Sequence, residues 1–348
     1  MIDDSSSGIA LARAYWEHVV APLIASRFPG LPYSAGRLGT GSDVLGLDDN
    51  TSRDHDWGLR LEVLVADEAI DEVAGYLAHA LPESFDGLPT RFPFTGETER
   101  RHHVDVSSLP RFLHSRLGFD PRDGVSLPEW LSLSGQSVLE VVAGPVFVDT
   151  GGGLDRARRA LDWYPEDVWR YVLACDWIRL AQELPLMGRA AELGDEAGSR
   201  VIAARLSHVT MHLAFLLERR WPPYSKWFGT LFSTLPEAAR LRPSIDAVLA
   251  AADPGTRQRA LAAVAQQLLD RQNALGMTEV ERATVPFWDR PFLHPDPAIV
   301  AQLLAPIVDP EVRALPRGRG SIEQLTDNVD VLTDPQARLR ILSAQAAR

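Results

Sequence analysis

Two aspartates one residue apart, Asp54 and Asp56, are the residues whose types and spacing most directly suggest chemistry. They precede residues 57–65, whose alternating apolar and polar side chains predict a strand. Side chains two apart on a strand share a face, so both carboxylates are expected on one side. Paired carboxylates repel each other unless a cation lies between them, and hard oxygen ligands favour Mg²⁺. The pair therefore predicts a Mg²⁺ site.

A glycine–serine turn, Gly41-Ser42, lies eleven residues before this pair. Glycine lets a phosphate approach the backbone, and serine offers both a hydroxyl and an N–H to phosphate oxygens. A third carboxylate is expected from Asp105 in an apolar β-branched stretch, with Glu140 as the other candidate. Together these residues predict a nucleoside triphosphate bound through metal. A solvated turn rich in helix caps is the alternative for the aspartate pair, and an ion pair with a neighbouring arginine is the alternative for Asp105.

The order of these motifs resembles the signature of the DNA polymerase beta nucleotidyltransferase superfamily. More of the chain is similar to a bacterial nucleotidyltransferase-like domain family of unknown function with a C-terminal helical domain, on residues 39–42, 52–58, 164–170 and 223–227. The resemblance implies two Mg²⁺ ions held by Asp54, Asp56 and Asp105, with ATP or another NTP as substrate. It implies transfer of an NMP group, first of all AMP from ATP, to a hydroxyl of a small-molecule acceptor with release of pyrophosphate.

The resemblance also implies nucleotide contacts from the second domain, where a lysine touches the triphosphate, often beside a serine. Lys226 is the only lysine among 35 lysine and arginine residues, and it directly follows Tyr224 and Ser225. We expect Lys226 and Ser225 to bind phosphates together with Gly41 and Ser42, and Tyr224 to stack on the base. The alternative interpretations are a surface lysine and an aromatic side chain that belongs to the core.

Composition limits the partners. A formal net charge of −12 argues against non-specific nucleic-acid binding and against binding to anionic membranes, and it suits a small cationic acceptor. With Cys175 as the single cysteine and no run of about eighteen apolar residues, we expect a cytoplasmic protein without a membrane span. Two further functions stay open: a nucleotide-binding or interaction module without transfer activity, and a nucleotidyltransferase that acts on a protein or tRNA. The oligomeric state stays open as well.

The length of 348 residues predicts two domains. Strands and helices alternate up to a glycine-rich linker at 150–153, which predicts an α/β (α+β) nucleotidyltransferase-like domain with a small mixed sheet over residues 1–150. Helical periodicity predicts an all-α bundle over residues 154–348. The predicted strands are 33–38, 57–65, 91–94, 102–106 and 146–149. The predicted helices begin with a leading helix that ends near 29–30 and continue with 67–81, 167–184, 195–220, 225–235, 255–275, 296–305 and 321–343.

Overall fold

A computed structural model describes residues 7–49, 57–94 and 96–346. It confirms an α/β domain with a small mixed sheet in the N-terminal region and a helical C-terminal part. The chain forms two compact units. The sheet unit comprises Met1–Val125, Ser137–Asp162 and Thr333–Gln336, and the helical unit comprises Ser126–Gln136, Trp163–Leu332 and Ala337–Arg348. These limits differ from the predicted domains, 1–150 and 154–348. One reason is that the predicted linker leads into a helix, Gly153–Ala160, that belongs to the sheet unit.

All five predicted strands are present: those at 33–38, 57–65 and 91–94 are shorter than predicted, that at 102–106 is one residue longer at each end, and that at 146–149 has the predicted bounds. In chain order they are β1 Ser34–Gly36, β2 Arg60–Leu64, β3 Ser84–Phe85, β4 Leu88–Pro89, β5 Arg91–Phe92, β6 Arg101–Ser107, β7 Val146–Asp149, β8 Thr284–Pro286 and β9 Leu293–Pro295. The main sheet has the order β5-β6-β2-β1-β7, whereas β3 pairs with β4 and β8 with β9 in two small hairpins. Only β2 and β6 are parallel within the main sheet, since β1 runs antiparallel to both β2 and β7, and β5 runs antiparallel to β6.

Helices make up most of the remaining described chain. They are α1 Gly8–Tyr15, α2 Ala21–Arg27, α3 Ile70–Ala80, α4 Leu109–Leu117, α5 Leu127–Ser132, α6 Gly135–Val142, α7 Gly153–Ala160, α8 Glu166–Glu192, α9 Glu196–Leu217, α10 Ser225–Phe232, α11 Ala238–Ala250, α12 Pro254–Ala274, α13 Pro297–Leu304, α14 Pro310–Ala314, α15 Ile322–Leu325, α16 Val329–Thr333 and α17 Pro335–Ala346. A π-helical segment, Trp16–Val20, joins α1 to α2. The Ser7 side chain caps α1 by accepting from the backbone N–H of Ala10.

The two faces of the main sheet differ in polarity, because register places side chains in matched rows. Ala35, Val63 and Val106 form one row, and Leu61 pairs with Val104 on the same face. This face packs against the leading helical segments and α3, and side chains from both layers form one apolar core. Ala35, Leu61, Val63 and Val104 are each at most 2% exposed, so the apolar face is closed to solvent. The opposite face is therefore the one available for chemistry.

The helical unit is built around α8 and α9, which pack on each other and on α12. The prediction that α8 ends before Pro185 was wrong, because the helix continues to Glu192. A proline removes one helical hydrogen bond, but Leu184, Pro185 and Met187 are all buried, and their packing offsets that loss. Residues 321–343 form three separate helices, α15 to α17. Among the described residues, no helix combines the length and apolar character that crossing a membrane requires.

Candidate functional site

The glycine–serine turn leaves the end of β1 and is held in place by Arg37. The Arg37 guanidinium is 2% exposed and makes a bidentate pair with Asp43, with Nε–Oδ2 at 2.7 Å and Nη2–Oδ1 at 2.8 Å. It also donates to the backbone carbonyls of Leu38 at 2.6 Å and Thr40 at 2.8 Å. One buried side chain therefore fixes both ends of the turn. All of these donors are directed at the protein itself, so Arg37 braces the turn and does not face a ligand.

Gly41 occupies a position that other residues would strain. Its φ is +136°, and a Cβ atom there would lie 2.3 Å from Asp43 Oδ1 and 2.4 Å from Arg37 Nη2. Ser42 follows as the N-cap of a short 3₁₀ helix, Asp43–Leu45, and its side chain makes no capping hydrogen bond. Both Gly41 and Ser42 are partly exposed. The turn is therefore braced from within and reaches solvent at the residues predicted to meet phosphate.

The polar face of the sheet brings two carboxylates together beside this turn. Glu62 on β2 and Asp105 on β6 are register partners, so their side chains lie next to each other on one face. A Cβ atom on Gly39 would lie 3.5 Å from Glu62 Oε1 and 3.1 Å from Arg116 Nη2, which places the turn against the same carboxylate. Arg60, on the same face of β2, donates to the Thr40 hydroxyl at 3.1 Å. The turn and the two carboxylates thus form one continuous surface.

The electrostatics of this surface reflect two carboxylates side by side. Burial, and then the neighbouring charge of Asp105, raise the pKa of Glu62 to about 7, against the lowering effect of the three surrounding arginines. Burial, and then the charge of Arg37, lower the pKa of Arg60 to about 10. Asp105 is about half exposed and accepts a hydrogen bond from Arg101 Nη1 at 3.1 Å. A cation between the two carboxylates would relieve their repulsion.

The two candidates for the third carboxylate have different surroundings. Asp105 lies on the predicted strand, with its side chain directed to the polar face. Glu140 lies on α6, where its carboxylate pairs with Arg116 at 3.2 Å and its backbone carbonyl accepts from the Gly39 N–H. Glu140 contacts the turn directly through its backbone, whereas Asp105 is the register partner of another carboxylate on the sheet. The ion pair expected as the alternative role of Asp105 is present as well, with Arg101.

The predicted aspartate pair, Asp54 and Asp56, lies outside the described residues, so its geometry stays a prediction. Within 7–49, 57–94 and 96–346, no group of three His, Cys, Asp or Glu side chains could hold a metal ion. Glu62 and Asp105 supply two carboxylates of the hard-oxygen type that suits Mg²⁺. Of the three aspartates predicted to bind Mg²⁺, only Asp105 is among the described residues, so binding by the pair stays a prediction.

The second group of predicted nucleotide contacts belongs to the helical unit. Tyr224 is the N-cap residue of α10 and is partly buried, whereas Ser225 and Lys226 are exposed in the first turn of this helix. Lys226 Nζ lies 4.9 Å from the centroid of the Trp227 ring, a cation–π contact. Because the Lys226 side chain is exposed, its ammonium group is accessible to an anion. Binding of this group to a phosphate stays a prediction.

Sequence reasoning missed Glu62, Arg60 and Arg116. The signal for Glu62 was the only acid of residues 57–65, one position from the centre of that segment. Its partnership with Asp105 depends on the parallel register of β2 and β6, which the sequence does not state. Arg116 lies on α4, a helix that the sequence analysis did not predict.

The described residues thus define a two-unit protein whose mixed sheet carries a polar face with a braced glycine–serine turn. Residues 130–228 match the family model described as "Domain of unknown function (DUF4037)". The chain is similar to a solved nucleotidyltransferase-like protein from Exiguobacterium sibiricum 255-15, at 16% identity, over 80% of this chain and 82% of that chain, with a TM-score of 0.34. A likeness at this level assigns no activity. No curated protein matches the chain.

Proposed function

We propose that this protein is a Mg²⁺-dependent nucleotidyltransferase that moves an NMP group, AMP from ATP in the first instance, to a hydroxyl of a small-molecule acceptor with release of pyrophosphate. The observation that carries the proposal is the braced turn at Gly41 and Ser42 beside the carboxylates of Glu62 and Asp105. On one surface lie a glycine–serine turn, which suits phosphate, and two carboxylates, which suit a hard cation. The motif order that resembles polymerase beta-like nucleotidyltransferases supports the same reaction class.

Each residue then has a defined task. The N–H and hydroxyl groups of Ser42 donate to phosphate oxygens, and Gly41 keeps the space that such an oxygen needs. Asp54, Asp56 and Asp105 hold the two Mg²⁺ ions of the proposal. When bound, the metal ions orient the triphosphate and lower the pKa of the acceptor hydroxyl.

In the proposal, Lys226 supplies positive charge at the phosphates. Ser225 binds the phosphates beside it, and Tyr224 stacks on the base. A lysine ammonium is a compact charge with three donors, which suits the negative charge that develops on departing pyrophosphate. Arg37 keeps the turn in one conformation without touching substrate, because its donors already bind Asp43 and two backbone carbonyls. The role of Lys226 rests on the resemblance and on its exposure.

The test is pyrophosphate release from each NTP with Mg²⁺ over a panel of hydroxylated and cationic acceptors. We expect release that depends on an acceptor and is abolished in the Asp54→Ala/Asp56→Ala double variant. Asp71→Ala/Glu72→Ala, two exposed acids at the start of α3, is the matched control and should retain activity. Lys226→Met should lower kcat at least as much as it raises KM for the NTP, because the lysine is assigned to charge that develops on the departing pyrophosphate.

Two outcomes would refute the proposal in different ways. Mg²⁺-dependent nucleotide binding without release on any small acceptor would indicate a binding module or a transferase acting on a protein or tRNA. Among these alternatives, salt-sensitive binding of tRNA would identify a transferase that acts on tRNA. If no nucleotide binds, measured by calorimetry with Mg²⁺ and each NTP, the nucleotidyltransferase interpretation is wrong.

A further inference from the structure

The helical unit contains an open cleft of 480 Å³, within the size range of small-molecule sites. Its walls are α8, α9 and the segment from Gly318 to Asp327. Charged and polar side chains from all three walls face it, and among them lies the buried residue His212. None of these residues belongs to the surface on the sheet unit described above.

At the base of the cleft, His212 has one ring nitrogen occupied and one without a hydrogen-bond partner. Nδ1 lies 2.7 Å from Asp176 Oδ2, and Asp176 Oδ1 accepts from Gln324 Nε2 at 2.7 Å, so this side of the ring is fixed. Nε2 is buried without a hydrogen-bond partner. It lies 3.7 Å from Glu323 Oε2, too far for a hydrogen bond. The His212 side chain itself is 6% exposed.

The protonation of His212 makes this nitrogen a donor. Burial disfavours the charged ring, but the carboxylates of Asp176 and Glu323 outweigh burial and raise the pKa of His212 to about 10. Both ring nitrogens therefore carry a proton near neutral pH. A buried N–H that lacks a hydrogen-bond acceptor destabilises the fold. The wall of the cleft thus holds a buried donor that makes no hydrogen bond and that forms an ion pair, at 3.7 Å, with the Glu323 carboxylate.

The spacing of this pair selects the kind of group that can sit between them. A hydroxyl oxygen about 2.8 Å from each atom would accept from His212 Nε2 and donate to Glu323 Oε2 at once. An anion there would be repelled by Glu323, and a cation would be repelled by the imidazolium. A neutral hydroxyl meets neither repulsion, because it is donor and acceptor together.

Other polar side chains along the cleft can form hydrogen bonds with further hydroxyls of the same ligand. Arg179 and Arg205 both pair with Glu183 and remain about half exposed, so they offer further donors on one side. Thr326 and Asp327 line the opposite segment and offer acceptors. Alternating donors and acceptors of this kind fit a ring that carries several hydroxyls.

We propose that this cleft binds a polyhydroxylated small molecule, a sugar or cyclitol, through one hydroxyl held between His212 Nε2 and Glu323 Oε2. The site is complete within the helical unit and needs no nucleotide. It therefore stands or falls independently of the proposed transfer reaction.

The test is binding of myo-inositol, D-glucose and D-glucosamine to the full chain without nucleotide, by saturation-transfer NMR and calorimetry. Cyclohexanol, with the same ring size and one hydroxyl, and inorganic phosphate are the comparison probes. We expect saturable binding of at least one polyol, no binding of phosphate, and weaker binding of cyclohexanol.

Variants locate the binding. Glu323→Gln should weaken the polyol about tenfold, because it removes a charged acceptor. Glu281→Gln, an exposed acid of the same unit outside the cleft, is the matched control and should change nothing. Ala204→Trp fills the cleft from an exposed position without altering the His212 cluster, so it should abolish binding even if Glu323→Gln does not fold.

Three results would overturn the proposal. The first is that none of the polyols binds. The second is saturable binding of phosphate in place of the polyols, which would make the cleft an anion site. The third is polyol binding that Ala204→Trp leaves unchanged, which would place the ligand elsewhere.

Discussion

The buried pair of Arg37 and Asp43 should be the most sensitive point of the sheet unit. Arg37→Ala leaves the carboxylate of Asp43, which is 4% exposed, without its bidentate partner. It also leaves the carbonyls of Leu38 and Thr40 without their donor. Breaking a buried pair from one side costs about 3–5 kcal/mol. We therefore expect the free energy of unfolding to fall by about 4 kcal/mol.

A surface ion pair of the same unit provides the control. Arg27 and Glu72 lie 3.0 Å apart with side chains 53% and 63% exposed, so Glu72→Ala should cost less than about 1 kcal/mol. Asp43→Asn keeps the shape and one acceptor, and it should fall between the two variants. Native-state hydrogen exchange in urea, followed on peptides from β2 and β6, measures the unfolding of this unit. If Arg37→Ala and Glu72→Ala agree within about 1 kcal/mol, the bracing role assigned to Arg37 is wrong.

Two further expectations concern conformation and pH. Gly41→Ala should lower the thermal midpoint more than Gly46→Ala, because a Cβ on Gly41 would lie 2.3 Å from Asp43 whereas one on Gly46 meets nothing within 4 Å; equal shifts would contradict this. His212 has a folded-state pKa of about 10 against 6.5 unfolded, so its contribution to stability is complete below pH 6.5 and is lost as pH rises towards 10. Urea unfolding across this range should show the loss, and Asp176→Asn should flatten it; a flat wild-type profile would refute the assignment.

The strands were predictable where alternation was clear. β7 has the predicted bounds. Both ends of β6 and the C-terminal end of β2 lie within one residue of the predicted bounds, whereas β2 begins three residues later than predicted. Their order in the sheet was not predictable, because a parallel pair separated by a helix leaves no local signal of register. Glu62 was missed for this reason, since only pairing with Asp105 gives it a role.

Local rules failed where packing overrode them. Pro185 predicts a helix end, yet α8 continues because its neighbours are buried against the rest of the unit. The bracing role of Arg37 was not predictable, because nothing in a sequence shows that the chain turns back within six residues to bring Asp43 to it. The glycine–serine turn was predicted from residue types, whereas the side chain that holds it was visible only from its contacts.

The position of β1 has a consequence for how the chain is made. Its two neighbours, β2 and β7, are synthesised about thirty and about a hundred residues later, so its outer edge stays unpaired until Val146–Asp149 emerges. An unpaired strand edge is a template for association with other chains. Fragments that end before β7 should therefore aggregate, even though they contain every residue of the predicted metal site.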